Sequence, residues 1–297
     1  MRILMAVDSI TTAEMMIEAV ASRPWPTGTR ARVISVVEDE EVPQEVWREA
    51  GFNREAVRKE MHRRGEQIAA LMEEPLKQRG IRADVAVMRG DPSWLITDEA
   101  RAWPADLILI RAHNRADFRN WMLGSVAKSV IRNAPCSVEV VRTPGEDKSV
   151  LSNGHMKILL ATDGSEHSDV AIRSIAERPW PEGTQVKVMS IVNPLVYSLE
   201  EIGVYQGGGT EKAHRAIGDA TQILKSAGVQ LSGEVIAGRP DRRIINEAKS
   251  WGADLIVLGT EDRRGLKRLL SGSISERVAN GAHCSVKVAR DGNSANA

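Results

Sequence analysis

The segment Asp254–Val278, DLIVLGTEDRRGLKRLLSGSISERV, decides how the rest of the chain is read. Its first six residues, DLIVLG, form a mostly apolar run ending in glycine, the pattern of a strand buried on both faces of a parallel sheet. A polar, basic loop follows from Gly259, carrying Arg263, Arg264, Lys267 and Arg268, and it closes on Gly272 and Ser273. Ile274 and Val278 then show helical spacing, and Ser273 with Glu276 makes a capping box for the first turn. A strand, a glycine loop and a helix N-terminus together form an anion-binding arrangement, because free amides and the positive end of the helix dipole face the loop. The same glycines also suit a tight connection that binds nothing.

The segment recurs in a diverged copy. Asp8 and Asp163, each closing a short apolar strand (RILMAVD and KILLATD), are 155 positions apart, and the same shift carries RPWPTGT at Arg23 onto RPWPEGT at Arg178. Farther along the shift becomes 148, taking Gly90 to Gly238, Asp106 to Asp254, Gly124 to Gly272 and Cys136 to Cys284. This is an internal duplication. The first copy carries 7 extra residues between Val37 and Gly80, which either lengthen a helix with the stripe Val57, Met61, Ile68, Met72 and Leu76 or enlarge the loop before it. Strands and helices alternate in each copy, as in a parallel sheet covered on both faces. The polar, Pro- and Gly-containing stretch between the copies reads as a linker.

Composition excludes several classes. Lysine plus arginine equals aspartate plus glutamate at 40 each, so no global charge draws the chain to nucleic acid or to an anionic membrane. No apolar run reaches about 18 residues and the N-terminus carries no signal pattern, so a cytoplasmic protein is expected. Cys136 and Cys284 occupy equivalent positions of the two copies and read as buried thiols, not as a disulfide. The 6 histidines show no metal spacing, and no nucleophile elbow, Walker loop or dinucleotide fingerprint is present.

Gly259, Asp262, Gly272 and Ser273 follow the spacing G-x2-G-x9-G-[ST], with Asp262 at the second glycine. In this the chain resembles the nucleotide loop of the universal stress protein family, and the resemblance covers nearly the whole chain. It implies an α/β fold of two Rossmann-like (adenine nucleotide alpha hydrolase-like) domains, each a five-stranded parallel sheet of order 3-2-1-4-5 with helices on both faces. The expected boundaries are a first domain over 1–143 with a degenerate loop, a linker over 144–156, a second domain over 157–291 with a near-complete loop, and a tail over 292–297. The resemblance also implies that an adenine nucleotide contacts Asp163, Val192, Gly259, Gly272, Ser273 and Ile274, with ATP and Mg as the candidate cofactors. Asp163 has a second role open to it, capping the helix that follows. The departures are Glu261 and Asp262, whose carboxylates repel a triphosphate unless a metal or the neighbouring arginines compensate. In the first copy Arg111 and Asn114 replace the first two glycines, and Lys128 replaces the capping glutamate.

The function expected from this resemblance is a tandem, non-catalytic stress-response module that holds an adenine nucleotide in its second copy. The alternative is an interaction or scaffold protein of the same fold. A nucleotide hydrolase is the third reading, and no general base or metal cluster supports it. The final strands SVEVVR and SVKVAR are otherwise exposed edges, so the copies are expected to pair as an intrachain pseudo-dimer, with homo-oligomers as a further option.

Overall fold

The structure, a computed structural model, describes residues 1–38, 53–112, 123–142, 155–204, 207–260 and 274–292. The first half builds β1 (Arg2–Val7), α1 (Ile10–Ala21), β2 (Arg30–Val37), α2 (Arg54–Ala70), α3 (Glu73–Gln78), β3 (Arg82–Arg89), α4 (Pro92–Ala102), β4 (Leu107–Arg111), α5 (Ser125–Asn133) and β5 (Ser137–Val141). The second half repeats the series with β6 (Lys157–Ala161), α6 (Glu166–Ala176), β7 (Gln185–Val192), α7 (Pro194–Glu201), α8 (Gly209–Leu224), β8 (Gln230–Ala237), α9 (Pro240–Trp251), β9 (Leu255–Gly259), α10 (Ile274–Gly281) and β10 (Ser285–Ala289).

All ten strands lie in one sheet of order β3-β2-β1-β4-β5-β10-β9-β6-β7-β8. Each half therefore has the expected order 3-2-1-4-5, with parallel pairing inside each half and one antiparallel junction, β5 against β10. The duplication extends to single hydrogen bonds. Trp25 Nε1 donates to Val20 O at 2.9 Å and Trp180 Nε1 to Ile175 O at 2.8 Å. The Asp106 carboxylate accepts from Arg2 N at 2.7 Å and Asp254 from Lys157 N at 2.8 Å, tying the first strand of each half to the start of its fourth.

The junction is isologous, as two-fold contacts between like surfaces are. Val286, Lys287 and Val288 lie opposite Val140, Glu139 and Val138. Arg142, just past β5, reaches across to donate to Cys284 O at 3.2 Å and to Ala279 O, while Arg290, just past β10, donates to Ile131 O at 3.0 Å and to Ala134 O. Each arginine thus satisfies carbonyls at the C-terminal end of the other half's last helix, where orphan acceptors and the negative dipole end favour a cation. Arg132 pairs with Glu276 across the same seam at 2.6 and 2.9 Å.

Alternation along β5 and β10 divides the core. Val138, Val140, Val286 and Val288 face one side, where a continuous apolar cluster runs through both halves. On the opposite side each half keeps its own cluster, one around Met5, Met16 and Val33 and the other around Ile158, Ile172 and Val188. Cys136 and Cys284 are buried and free, and burial pushes both thiols up to about 12, which keeps them protonated and unreactive.

The extra residues of the first half lie in the helix. Val37 to Arg54 and Val192 to Gly209 each span 17 positions, whereas Arg54 to Gly80 spans 26 and Gly209 to Gly228 spans 19. The longer run breaks at Leu71–Met72 into α2 and α3, with Pro75 in the first turn of α3, where its missing N–H costs nothing. Ile68, Met72 and Leu76 are buried as their spacing predicts, but Met61 is exposed. The apolar stripe therefore narrows toward the start of α2.

Candidate functional site

In a 3-2-1-4-5 sheet the connections leaving strands 1 and 4 diverge, so a crevice opens beyond their carboxyl ends. In the second half these are the ends of β6 and β9, and a dense set of short hydrogen bonds shapes them. Thr162 extends the ladder by donating its amide to Met189 O at 2.9 Å. Its buried hydroxyl donates to Ser168 Oγ at 3.0 Å and accepts from Gly164 N at 3.2 Å. Gly164 has φ +72°, a left-handed conformation that glycine adopts without strain. Ser165 caps α6 by accepting from Ser168 N at 3.3 Å.

Asp163 is exposed at the end of this turn, and its Oδ1 accepts from Ser165 N at 3.0 Å and Ser165 Oγ at 2.6 Å. The capping alternative therefore holds in modified form: Asp163 orders the turn, and Ser165 caps the helix. Partial burial pushes the Asp163 carboxyl up, but the bonds from Ser165 and Ser168 outweigh it and hold the pKa below its usual value. Asp163 is thus a fixed, ionised acceptor.

Gly259 ends β9. A Cβ there would meet His167 O at 2.1 Å, His167 C at 2.5 Å and Ser168 N at 2.9 Å, so the strand end packs directly on the first-turn backbone of α6. Its lack of a side chain is required by this strand–helix contact whether or not a ligand approaches. Val192 closes β7, is buried, and accepts from Gly238 N at 3.0 Å. Ile274 opens α10 and is 40 % exposed. Gly272, Ser273, Glu261 and Asp262 lie outside the described residues. The ends of that loop are joined, however: Ser275 Oγ, in the first turn of α10, donates to Thr260 Oγ1 at 3.2 Å.

The first half shapes the same place differently. Ser9 caps α1, and Asp8 Oδ1 accepts from Ser9 Oγ at 3.0 Å and Thr12 Oγ1 at 2.5 Å. Arg111, at the position equivalent to Gly259, lays its guanidinium over this turn and donates from Nη1 to Thr12 Oγ1 at 3.4 Å. The first half thus carries a guanidinium on the turn after its first strand, where the second half has only a glycine.

Three residues of the second half escape sequence reasoning. Asp241, in the first turn of α9, is buried and accepts from Arg239 at 3.2 Å and from Arg277 of α10 at 3.0 Å. Burial pushes its carboxyl up, but hydrogen bonds led by Arg239 hold the pKa down. This clamp places two cations beside the end of β8; the run Gly238-Arg239-Pro240, a turn leading into a helix, is its sequence signal. Among the described residues, no group of three or more His, Cys, Asp or Glu is arranged to hold a metal ion, and no helix is long and apolar enough to cross a membrane.

The model of the universal stress protein family matches residues 1–142 and again 155–290. The chain belongs to the universal stress protein family. A universal stress protein of Mycobacterium tuberculosis is 28 % identical over 198 residues, 63 % of this chain and 62 % of that protein. The match thus spans less than two thirds of that relative's length. A universal stress protein of Methanocaldococcus jannaschii is 33 % identical over 151 residues, 48 % of this chain and 88 % of its own. The crystal structure of a universal stress protein from Archaeoglobus fulgidus aligns with a TM-score of 0.68 over 98 % of this chain and 97 % of that one, at 16 % identity, and so shares the fold. The two family matches correspond to the two halves of the sheet, which makes the chain a tandem universal stress protein.

Proposed function

We propose that this tandem universal stress protein is a non-catalytic stress-response module whose second half holds an adenine nucleotide, with ATP and Mg as the ligand pair, and whose first half does not. The carrying observation is the asymmetry at one equivalent position: Arg111 lays its guanidinium on the turn after β1, whereas its second-half counterpart, Gly259, has no side chain to lay on the turn after β6. The described residues fit the base end of such a ligand. Asp163 offers an ionised acceptor for an amino group, and Val192 an apolar wall. Because Ser165 holds Asp163 with a lowered pKa, the carboxylate suits recognition and not proton transfer. Gly272, Ser273 and Ile274 complete the proposed set at the phosphate end, where the α10 N-terminus would meet the anion.

The test is to denature the purified full-length chain, separate the released small molecules by ion-pair chromatography and titrate the nucleotide-free protein with ATP and Mg. A single adenine nucleotide, or saturable ATP binding, is expected. Neither retention nor binding would leave the interaction-protein reading. One observation favours that second reading: Leu195, Ile202 and Val204, on and just past α7, are 67, 68 and 71 % exposed, an apolar group of the sort that marks contact surfaces.

A further inference from the structure

On the face of the sheet opposite the shared core, the seam between the halves holds a buried set of charges that do not balance. Glu139 of β5 and Lys287 of β10 stand directly opposite each other, 1 % and 4 % exposed. Arg23 and Arg178, from the two RPWP segments, close over them and are 5 % and 6 % exposed. Three cations thus face one carboxylate. Arg23 bonds one oxygen of that carboxylate, donating from Nη2 to Glu139 Oε1, while Glu139 Oε2 is buried without a hydrogen-bond partner. Arg178 is left with its guanidinium stacked 4.2 Å from the centroid of Trp25 and 5.1 Å from that of Trp180. Its Nε, Nη1 and Nη2 are all buried and all without a hydrogen-bond partner. The next charge felt by Lys287 is Glu177, which is exposed.

The asymmetry comes from one position. Glu139 and Lys287 are equivalents in the duplication, as are Arg23 and Arg178. A glutamate in both halves would give each arginine a carboxylate. With lysine at 287 the second arginine has no hydrogen-bonded carboxylate of its own, only the through-space attraction of Glu139, and burying unpaired donors of a charged group is costly.

We propose that this seam binds a small monovalent anion of the chloride class, held by the Arg178 guanidinium edge and the Lys287 ammonium. The guanidinium presents parallel N–H groups in a rigid fork suited to an anion lying in its plane. Burial of both side chains favours a weakly hydrated, singly charged ion over sulfate or a phosphate dianion, whose dehydration costs far more. The anion takes the place of the carboxylate that the first half supplies from Glu139. Burial and the neighbouring Arg178 draw the Lys287 ammonium down to about 7 in the absence of an anion, so binding and lysine protonation reinforce each other. The site is separate from the nucleotide crevice, which lies beyond the carboxyl ends of β6 and β9.

The test uses the full chain at pH 6, unfolded thermally in sodium chloride, sodium bromide or sodium gluconate at matched ionic strength. The wild type is expected to gain about 2–4 °C in Tm for each tenfold rise in chloride above the dissociation constant, with gluconate giving no comparable slope. Lys287→Glu, which gives Arg178 its own carboxylate, is expected to lose the chloride-specific slope. Crystals soaked in bromide should show an anomalous peak beside the Arg178 guanidinium, which decides the matter even if the variant does not fold. Equal slopes in chloride and gluconate for the wild type, a chloride slope retained in Lys287→Glu, or no bromide peak at Arg178 would each overturn the proposal.

Discussion

Lys287 lies directly across the antiparallel β5–β10 junction from Glu139, its own counterpart in the duplication. The pseudo-two-fold axis therefore passes between two residues of opposite charge. The contact across this axis is therefore directional, with a buried glutamate on one side and a buried lysine on the other.

Lys287 titrates at about 7 in the folded chain because burial and Arg178 disfavour its charge, while Glu139 only partly offsets them. In the unfolded chain it titrates near the ordinary lysine value of about 10.4. Between these values the unfolded state binds the additional proton, so stability rises with pH through that window, and the full penalty applies below it. Lys287→Met should stabilise the protein at pH 6 by about 1 kcal/mol or more and flatten the rise between pH 7 and 10. The charges facing this site are Arg23, Arg178, Glu139 and, at its rim, Glu177. Urea midpoints at pH 6, 7.5 and 9 in gluconate check this; parallel pH profiles for both proteins would refute it.

The seam makes the two halves one sheet. Each of β5 and β10 is paired on both sides, to β4 and β9 as well as to each other. Amides of Ser137–Val141 and Ser285–Ala289 should accordingly exchange with deuterium only through global unfolding. Exchange as fast as in fraying edge strands would mean that the junction opens on its own.

Gly259 supports the fold independently of any ligand. A methyl group at this position overlaps His167 O, so Gly259→Ala must push β9 away from α6 and should cost about 1–3 kcal/mol or more. Arg111→Ala, at the equivalent place in the first half, creates no such overlap and should cost less. Chemical denaturation of both variants checks the order of the two effects.

Much of this architecture is legible in the sequence because buried parallel strands are continuous apolar runs. DLILI and DLIVL, together with the 155 and 148 spacings, specify two copies of one unit, and the exposed-edge argument leads from SVEVVR and SVKVAR to the seam. The charged pocket is not legible there. Alternation in V-E-V and V-K-V is what a strand with a solvent face shows, and only the tertiary closure of Arg23, Arg178 and the two tryptophans covers that face. The placement of the extra residues was equally open, since a helix break and a longer loop have the same length; the break at Leu71–Met72 decides it. Gly259 illustrates a third limit: a glycine needed for helix packing looks the same in sequence as one needed for a phosphate.

The claim that the second half alone binds nucleotide is tested most directly by calorimetric titration of ATP with Mg into the wild type, Asp163→Ala and Asp8→Ala. Loss of a hydrogen bond to a charged group, about 1.5–3 kcal/mol, predicts that Asp163→Ala weakens binding by roughly tenfold or more. Asp8→Ala should bind as the wild type does. Asp163→Asn keeps the acceptor for Ser165, so it separates loss of the charge from collapse of the turn. Equal losses from Asp163→Ala and Asp8→Ala, or a loss confined to Asp8→Ala, would contradict the assignment of the site to the second half.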